Sequence, residues 1–168
     1  MLSGGSETVT SMPNGPRYDD DFFAWSQHQA MVLRTMPFAD NRFDRENLAE
    51  EIEDLGRSER DAVRSQIRGI IEHLLKLAYS PVWQPRFDWI ASIGEARATL
   101  GDKISPTLRR DAETMLAKLY RDARRQAELS LRAYGENPAA EVLPQSCPNS
   151  LDDICREDWY PDRFGGKP

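Results

Sequence analysis

The sequence predicts an all-α fold, a five-helix bundle followed by a loop-rich C-terminal tail that carries one short helical turn. Apolar residues recur at three- and four-residue steps in five separate segments. Capping residues, prolines and glycines mark the ends of these segments. No segment alternates apolar and polar residues over a useful length, and no internal repeat is visible, so we expect neither a sheet nor a solenoid.

The chain length predicts a single domain. Its 168 residues are enough for one hydrophobic core and too few for two ordinary enzyme domains. Residues 1–17 are polar, contain Gly, Ser and Pro, and have no apolar run, so we expect a disordered leader and not a signal peptide. The helical domain is predicted over residues 18–161, and residues 162–168 are predicted to form a disordered tail.

The first helix is predicted over residues 18–36. Three aspartates in its first turn suit the positive end of the helix dipole, and Pro37 ends it because proline cannot donate the next helical hydrogen bond. Its predicted inward face consists of Tyr18, Phe22, Trp25, Gln29, Leu33 and Met36.

Asp44 is a suitable N-cap for a short second helix, and Gly56 interrupts it. A third helix then starts at Ser58 and ends before Pro81, and its broad apolar face marks it as the central core helix. The inward stripe of the second helix is predicted to be Leu48, Ile52 and Leu55. One continuous helix over residues 44–79 is the alternative, since an isolated helical glycine costs only ~1 kcal/mol. We favour a break or kink at Gly56.

A fourth helix is predicted over residues 89–104, after a short connector between Pro81 and Pro85. Ser105-Pro106 is an N-cap followed by proline at the first helical position. The fifth helix then runs to Tyr134 and stops at Gly135. Its predicted inward stripe of mostly small residues consists of Ala112, Met115, Leu119, Ala123, Gln126, Ser130 and Ala133.

The tail contains three prolines and is predicted to be mostly loop, with Asn149 or Ser150 capping one helical turn through residues 151–155. Cys147 and Cys155 are eight residues apart with no histidine nearby, so packing is favoured over zinc binding. Two cysteines and no export signal predict a reducing compartment, the cytoplasm.

Charge and hydropathy exclude two classes of partner. The chain has 28 Asp and Glu residues against 22 Lys and Arg residues, a net charge of −6, and its basic residues are dispersed. We therefore expect no nucleic-acid partner. No stretch is long and apolar enough to cross a bilayer, so we expect no membrane partner.

The acidic segment, residues 47–56, contains the candidate site. Helical phasing from Leu48 places Asn47, Glu51 and Asp54 on one inward flank, while Glu50 and Glu53 point away. On the third helix, His73 lies at the edge of the apolar face. Glu51, Asp54 and His73, with Asn47 in support, could therefore supply oxygen and nitrogen ligands to a divalent metal.

An ordinary structural role is the favoured interpretation of these residues. Di-metal helical bundles usually repeat Glu-x-x-His on two helices, and neither histidine of this chain follows a Glu at that interval. The pattern of all-α nucleotide pyrophosphatases is half met by Glu50 and Glu53, but its second half is absent. Charged runs are commonly solvated helix faces.

Several motifs occur together in order along the chain. They are Tyr18-Asp19 to Trp25, the acidic segment continuing through Glu59, His73-Leu74-Leu75-Lys76 to Pro81, Ser105-Pro106-Thr107-Leu108, Tyr120 to Ala123, and Cys147-Pro148 to Pro161. In this order and spacing, residues 18–161 resemble the bacterial family called domain of unknown function 29. The resemblance implies a small all-helical bacterial protein and brings no catalytic residues. The leader before Tyr18 is longer than is typical of the family.

The sequence favours a cytoplasmic interaction or structural module that acts through its surface, as a homo-oligomer or with a protein partner. The alternative is a small metal-dependent hydrolase that uses Glu51, Asp54 and His73 to hold an ion and orient water. Apart from that divalent metal, no cofactor is expected.

Overall fold

Six α-helices and no strand make up the part of the chain that the computed structural model describes, residues 15–37, 40 and 42–161. The helices are α1 (Phe22–Thr35), α2 (Arg45–Tyr79), α3 (Arg86–Lys103), α4 (Pro106–Ala133), α5 (Asn137–Glu141) and α6 (Leu151–Cys155). The all-α prediction is confirmed. Most of the predicted leader, residues 1–14, and all of the predicted tail, residues 162–168, lie outside the described residues.

Helix α1 buries a different face from the one predicted. Its N-cap is Asp21, whose carboxylate accepts a hydrogen bond from the backbone N–H of Ala24 at 2.9 Å. The buried residues are the small Ser26 and Ala30. Trp25 is only half-buried and packs edge-on against Tyr18, with ring centroids 4.8 Å apart. Small residues face the neighbouring helix because they let the two backbones approach closely.

Helix α2 is one continuous helix of 35 residues, so the favoured break at Gly56 is wrong. Asp44 caps it as predicted, accepting from the backbone N–H of Asn47 at 3.3 Å. Gly56 is buried against Ser26 of α1. The glycine therefore provides room for a neighbouring helix and does not interrupt its own.

The first turns of α2 also bury a different stripe from the one predicted. Ala49 and Gly56 are buried on the side that faces α1. Leu48 and Leu55, predicted to point inward, are 40% and 58% exposed. The phase of the helix is set by the small residues that contact α1 and not by its leucines.

The main hydrophobic core begins at Val63 of α2 and joins α2 to α3, α4 and the C-terminal segment. Lys103 at the end of α3 reaches back to Glu59, with Nζ 3.6 Å from the carboxylate, so α3 runs antiparallel to α2. Arg64 then pairs with Asp111 near the start of α4 at 2.6 Å. Residues 45–58 of α2 precede this core and pack along α1. We call α1 together with residues 45–58 the arm.

Helix α4 starts as predicted, with Ser105 accepting from the N–H of Leu108 and Pro106 in the first turn. Its buried residues are Leu108, Ala112, Leu119, Tyr120, Ala123, Ala127 and Leu131. The predicted stripe is correct in its first half, but Gln126 and Ala133 are exposed. At 3.6 residues per turn, successive four-residue steps from Ala123 lead to Ala127 and Leu131.

The tail is more ordered than predicted. Gly135, at φ 79°, follows α4, and α5 forms where only loop was expected. Helix α6 is the predicted single turn, with Ser150 and Asp153 forming a capping box.

One buried cation holds the tail to the bundle. The guanidinium of Arg97, on a residue only 3% exposed, donates to the carbonyl oxygens of Ile154 and Trp159, both at 2.9 Å. It also donates to the carbonyl of Glu157 at 3.1 Å. The C-terminal segment is thus fixed through its backbone to α3.

Candidate functional site

The four residues predicted to form a polar cluster do not come together. Asn47, Glu51 and Asp54 lie on exposed positions of the arm. His73 lies on the same continuous helix, about 28 Å beyond Asp54 at 1.5 Å per residue. The predicted convergence depended on a break at Gly56 that would let two helices face each other, and the unbroken helix keeps them apart.

The immediate partners of these residues are local. Asn47 donates through Nδ2 to Asp44 at 2.6 Å, and Asp54 pairs with Arg57 one turn further along. Glu51 has no hydrogen bond or ion pair with any described residue. Among the residues that the structure describes, no group of three or more His, Cys, Asp or Glu side chains could hold a metal ion. The arrangement gives the hydrolase alternative no support.

The inward carboxylate of the acidic segment is Glu53, which the sequence placed outward. Its two oxygens lie 2.8 Å from Arg34 of α1 and 3.1 Å from Arg57. Its backbone carbonyl accepts from Nε2 of Gln27 at 3.4 Å. Glu53 thus joins the two helices of the arm. The sequence feature that could have indicated this inward position is the pair of small residues, Ala49 and Gly56, on the same side of α2.

His73 is half-buried on α2 and does not share a polar ridge with the acidic segment. Burial lowers the pKa of its imidazole, and the nearby Lys76 ammonium lowers it further, against the opposing effect of Glu72. Its Nδ1 atom is buried without a hydrogen-bond partner among the described residues. A neutral imidazole suits this position.

The two cysteines have the packing role that the sequence favoured. Both are free thiols packed against the hydrophobic core. Cys147 donates through Sγ to the carbonyl of Asn149 at 3.2 Å, and burial raises the pKa of both thiols. Raised pKa values keep the thiols protonated and unreactive near neutral pH.

The arm has a surface that sequence reasoning missed. Leu48, Glu51 and Leu55 follow one another at i, i+3 and i+7, so they lie along one face of α2. All three side chains are exposed. We call this face the leucine stripe. Since the leucines were expected to be buried, the stripe could be recognised only once the position of α1 was known.

The segment that carries the leucine stripe is acidic, and we call its exposed carboxylates, Asp44, Glu46, Glu50, Glu51 and Asp54, the acidic rim. Residues 44–58 contain six carboxylates against two guanidinium groups, a net charge of −4; they are Asp44, Glu46, Glu50, Glu51, Glu53 and Asp54 against Arg45 and Arg57. An exposed apolar strip with an acidic border is a surface that can bind another chain.

Within the described part of the chain, no helix combines the length and hydropathy needed to cross a membrane.

Comparison with known proteins identifies a family and one solved structure. The model of the family described as domain of unknown function DUF29 matches residues 17–160. An α-helical protein of unknown function from Rhodospirillum rubrum, solved by crystallography, superposes with a TM-score of 0.76 at 28% identity, covering 87% of this chain and 93% of that one. No functionally curated protein matches the chain significantly. The resemblance predicted from the motifs is confirmed, and the chain belongs to the DUF29 family.

Proposed function

We propose that this protein is an interaction module whose arm binds a basic amphipathic helix of a partner protein. The observation that carries the proposal is the leucine stripe, in which two exposed leucines flank, on one helix face, a carboxylate that pairs with no described residue. A partner helix would cover Leu48 and Leu55 with its apolar side and pair a lysine or arginine with Glu51.

Apolar burial supplies the affinity in this proposal. A leucine side chain taken from full exposure to full burial contributes roughly 1.5–3 kcal/mol, and the stripe leucines have about half of their surface left to bury. The two helices of the arm cannot bury these leucines against each other, because they already meet through small residues. These are Ser26, Ala30, Ala49 and Gly56.

The charge of the arm favours a basic partner over a second copy of this chain. In a twofold-symmetric dimer through the stripe, each acidic rim would face the other, and opposed like charges disfavour association. A basic helix meets the same rim with complementary charge. It would also associate faster at low salt, because charge steers the encounter.

We further propose a bacterial cytoplasmic setting. The similar solved structure comes from a bacterium, and two free thiols suit a reducing compartment.

A matched pair of synthetic peptides tests the interaction. Both carry leucines at i, i+3 and i+7; one has lysines and the other glutamates at the remaining positions. Fluorescence anisotropy with the full chain should show binding of the lysine peptide, weakened by added salt because exposed charges are screened. Substituting both stripe leucines, L48S and L55S, should abolish binding, and E51Q should weaken it.

Leu129 of α4 provides the control, because it is 53% exposed and lies outside the arm. L129S should bind the lysine peptide as the native chain does. Equal binding of the two peptides, or full binding by the L48S/L55S variant, would contradict the proposal. A dimer seen by light scattering and lost in L48S/L55S would replace the basic partner with a second copy.

A further inference from the structure

A cavity of about 340 Å³ lies at the opposite end of the bundle from the arm, where α2 finishes and α4 leads into α5. It is lined by Lys76, Val82, Pro85, Trp89, Ser130, Tyr134 and Glu136. These residues come from α2, the connector after it, α3, α4 and the start of α5. The volume is at the lower end of the range for ligand pockets, which suits a small molecule.

Lys76 brings a buried positive charge to this cavity. Its side chain is only 8% exposed, and Nζ lies 2.7 Å from Glu72. The same ammonium lies 5.7 Å from the ring centroid of Trp89, within the range of a cation–π contact. An ammonium has three N–H donors, and Glu72 accepts from only one direction. The remaining donors suit an anionic group in the cavity.

Glu136 brings a carboxylate with one oxygen that lacks a hydrogen-bond donor among the described residues. Its Oε2 atom is buried and accepts no hydrogen bond from any described residue. Arg86 acts on Glu136 electrostatically, but its guanidinium donates to the carbonyl oxygens of Ser80 at 2.6 Å and Val82 at 3.1 Å. A buried carboxylate oxygen without a donor costs free energy, and a ligand ammonium would satisfy it.

Apart from Ser130, the remaining walls are apolar or aromatic. Val82 and Pro85 of the connector and the indole of Trp89 line the cavity beside Lys76. A ligand side chain in contact with them would be apolar. A cationic donor, an anionic acceptor and an apolar wall thus line the same small cavity.

We propose that this cavity binds a free α-amino acid with an apolar side chain, its carboxylate on Lys76 and its ammonium on Glu136. The zwitterion matches both charges, and neither a simple amine nor a simple carboxylate does so. The site is independent of the leucine stripe, and its occupant would be a metabolite and not a protein.

Isothermal titration calorimetry of the full chain with L-phenylalanine and L-leucine tests the proposal. Phenethylamine lacks the carboxylate and 3-phenylpropionate lacks the ammonium, so they measure each end separately. L-Phenylalanine or L-leucine should bind, and each half-molecule should bind about tenfold or more weakly than L-phenylalanine, since one charge-assisted contact is lost.

Glu136→Gln keeps the shape of the side chain and should weaken amino-acid binding roughly tenfold or more. Lys76→Met should do the same, and the glutamine variant remains informative if the methionine variant fails to fold. Glu141→Gln, on the short helix that Glu136 precedes, is the control, because Glu141 is exposed and does not line the cavity. It should leave binding unchanged.

Three results would overturn the assignment. The first is that neither amino acid gives a binding heat up to about 10 mM, which leaves the affinity below any useful range. The second is that phenethylamine binds as tightly as L-phenylalanine. The third is that Glu136→Gln binds the amino acid as the native chain does.

Discussion

Gly56 of α2 lies directly against Ser26 of α1, where the two helices of the arm approach closely. A Cβ added to Gly56 would lie 3.0 Å from Cβ of Ser26 and closer still to its Oγ. The hydroxyl of Ser26 already donates to the carbonyl of Phe23 at 2.8 Å, so it is turned back toward its own helix. Both positions therefore require small residues for the arm to close.

Gly56→Ala should destabilise the protein by roughly 1–3 kcal/mol, because the new methyl group forces the two helices apart. An alanine in the middle of an exposed helix would normally stabilise it by ~1 kcal/mol. Urea unfolding followed by circular dichroism measures the difference. Gly69→Ala on the same helix is the control, since its Cβ would meet nothing within 4 Å; it should be stabilising. Two variants that change stability in the same direction would contradict the close contact.

The sequence predicted three N-caps correctly and helix faces poorly, for a physical reason. Asp44, Ser105 and Ser150 act as caps through their own local hydrogen bonds, and a local signal needs no knowledge of the neighbours. Which face is buried depends on where another helix packs. Leu48 and Leu55 have every local property of a buried stripe, yet α1 packs beside Ala49 and Gly56.

The candidate metal site likewise depended on information that is not local. Its convergence depended on how Gly56 shapes the chain, and a glycine is compatible with either a break or a close helix contact. The cavity residues Lys76 and Glu136 were beyond sequence reasoning because they meet only through the packing of α2 against the end of α4.

Arg97→Met should cost about 3 kcal/mol or more in the free energy of unfolding. The variant removes the donor from three carbonyl oxygens of the C-terminal segment, through one buried hydrogen bond to Ile154 and two partly buried ones to Glu157 and Trp159. A buried carbonyl left without a donor costs about 1–3 kcal/mol. The tail should also be cleaved faster by protease, as its anchor to α3 is lost. Arg121→Met is the matched control, because Arg121 is exposed on α4. If both variants unfold at the same urea concentration, Arg97 does not anchor the tail.

Glu53→Gln should destabilise the arm by roughly 0.5–1 kcal/mol, through loss of its ion pairs with Arg34 and Arg57, which are partly screened by solvent. Glu50→Gln, at an exposed neighbouring position, should change stability by less than about 0.5 kcal/mol. Added salt should reduce the difference between the two variants. If both substitutions have the same effect, Glu53 does not join the two helices and its side chain points outward, as the sequence predicted.

The protein should lose stability as the pH falls below the ordinary histidine pKa of 6.5, and His73 should account for part of that loss. Burial disfavours the charged imidazole in the folded state, and the Lys76 ammonium adds to this effect. Just below pH 6.5, His73 is therefore protonated more readily in the unfolded chain than in the folded protein. Stability rises with pH wherever the unfolded state binds more protons, so the contribution of His73 is complete above pH 6.5 and declines below it.

Urea unfolding of the native chain and of His73→Gln at about pH 7.5 and about pH 5.5 measures this contribution. The native chain should lose more free energy of unfolding between the two values than the variant, which has no imidazole to protonate. Burial raises the pKa of Asp21, but hydrogen bonds from Ala24 and Thr107 outweigh it, so the pKa is lowered from its ordinary value of 3.8. Asp21 therefore affects stability only below that pH and does not disturb the comparison. An equal loss in both proteins would show that His73 stays accessible to protons in the folded state.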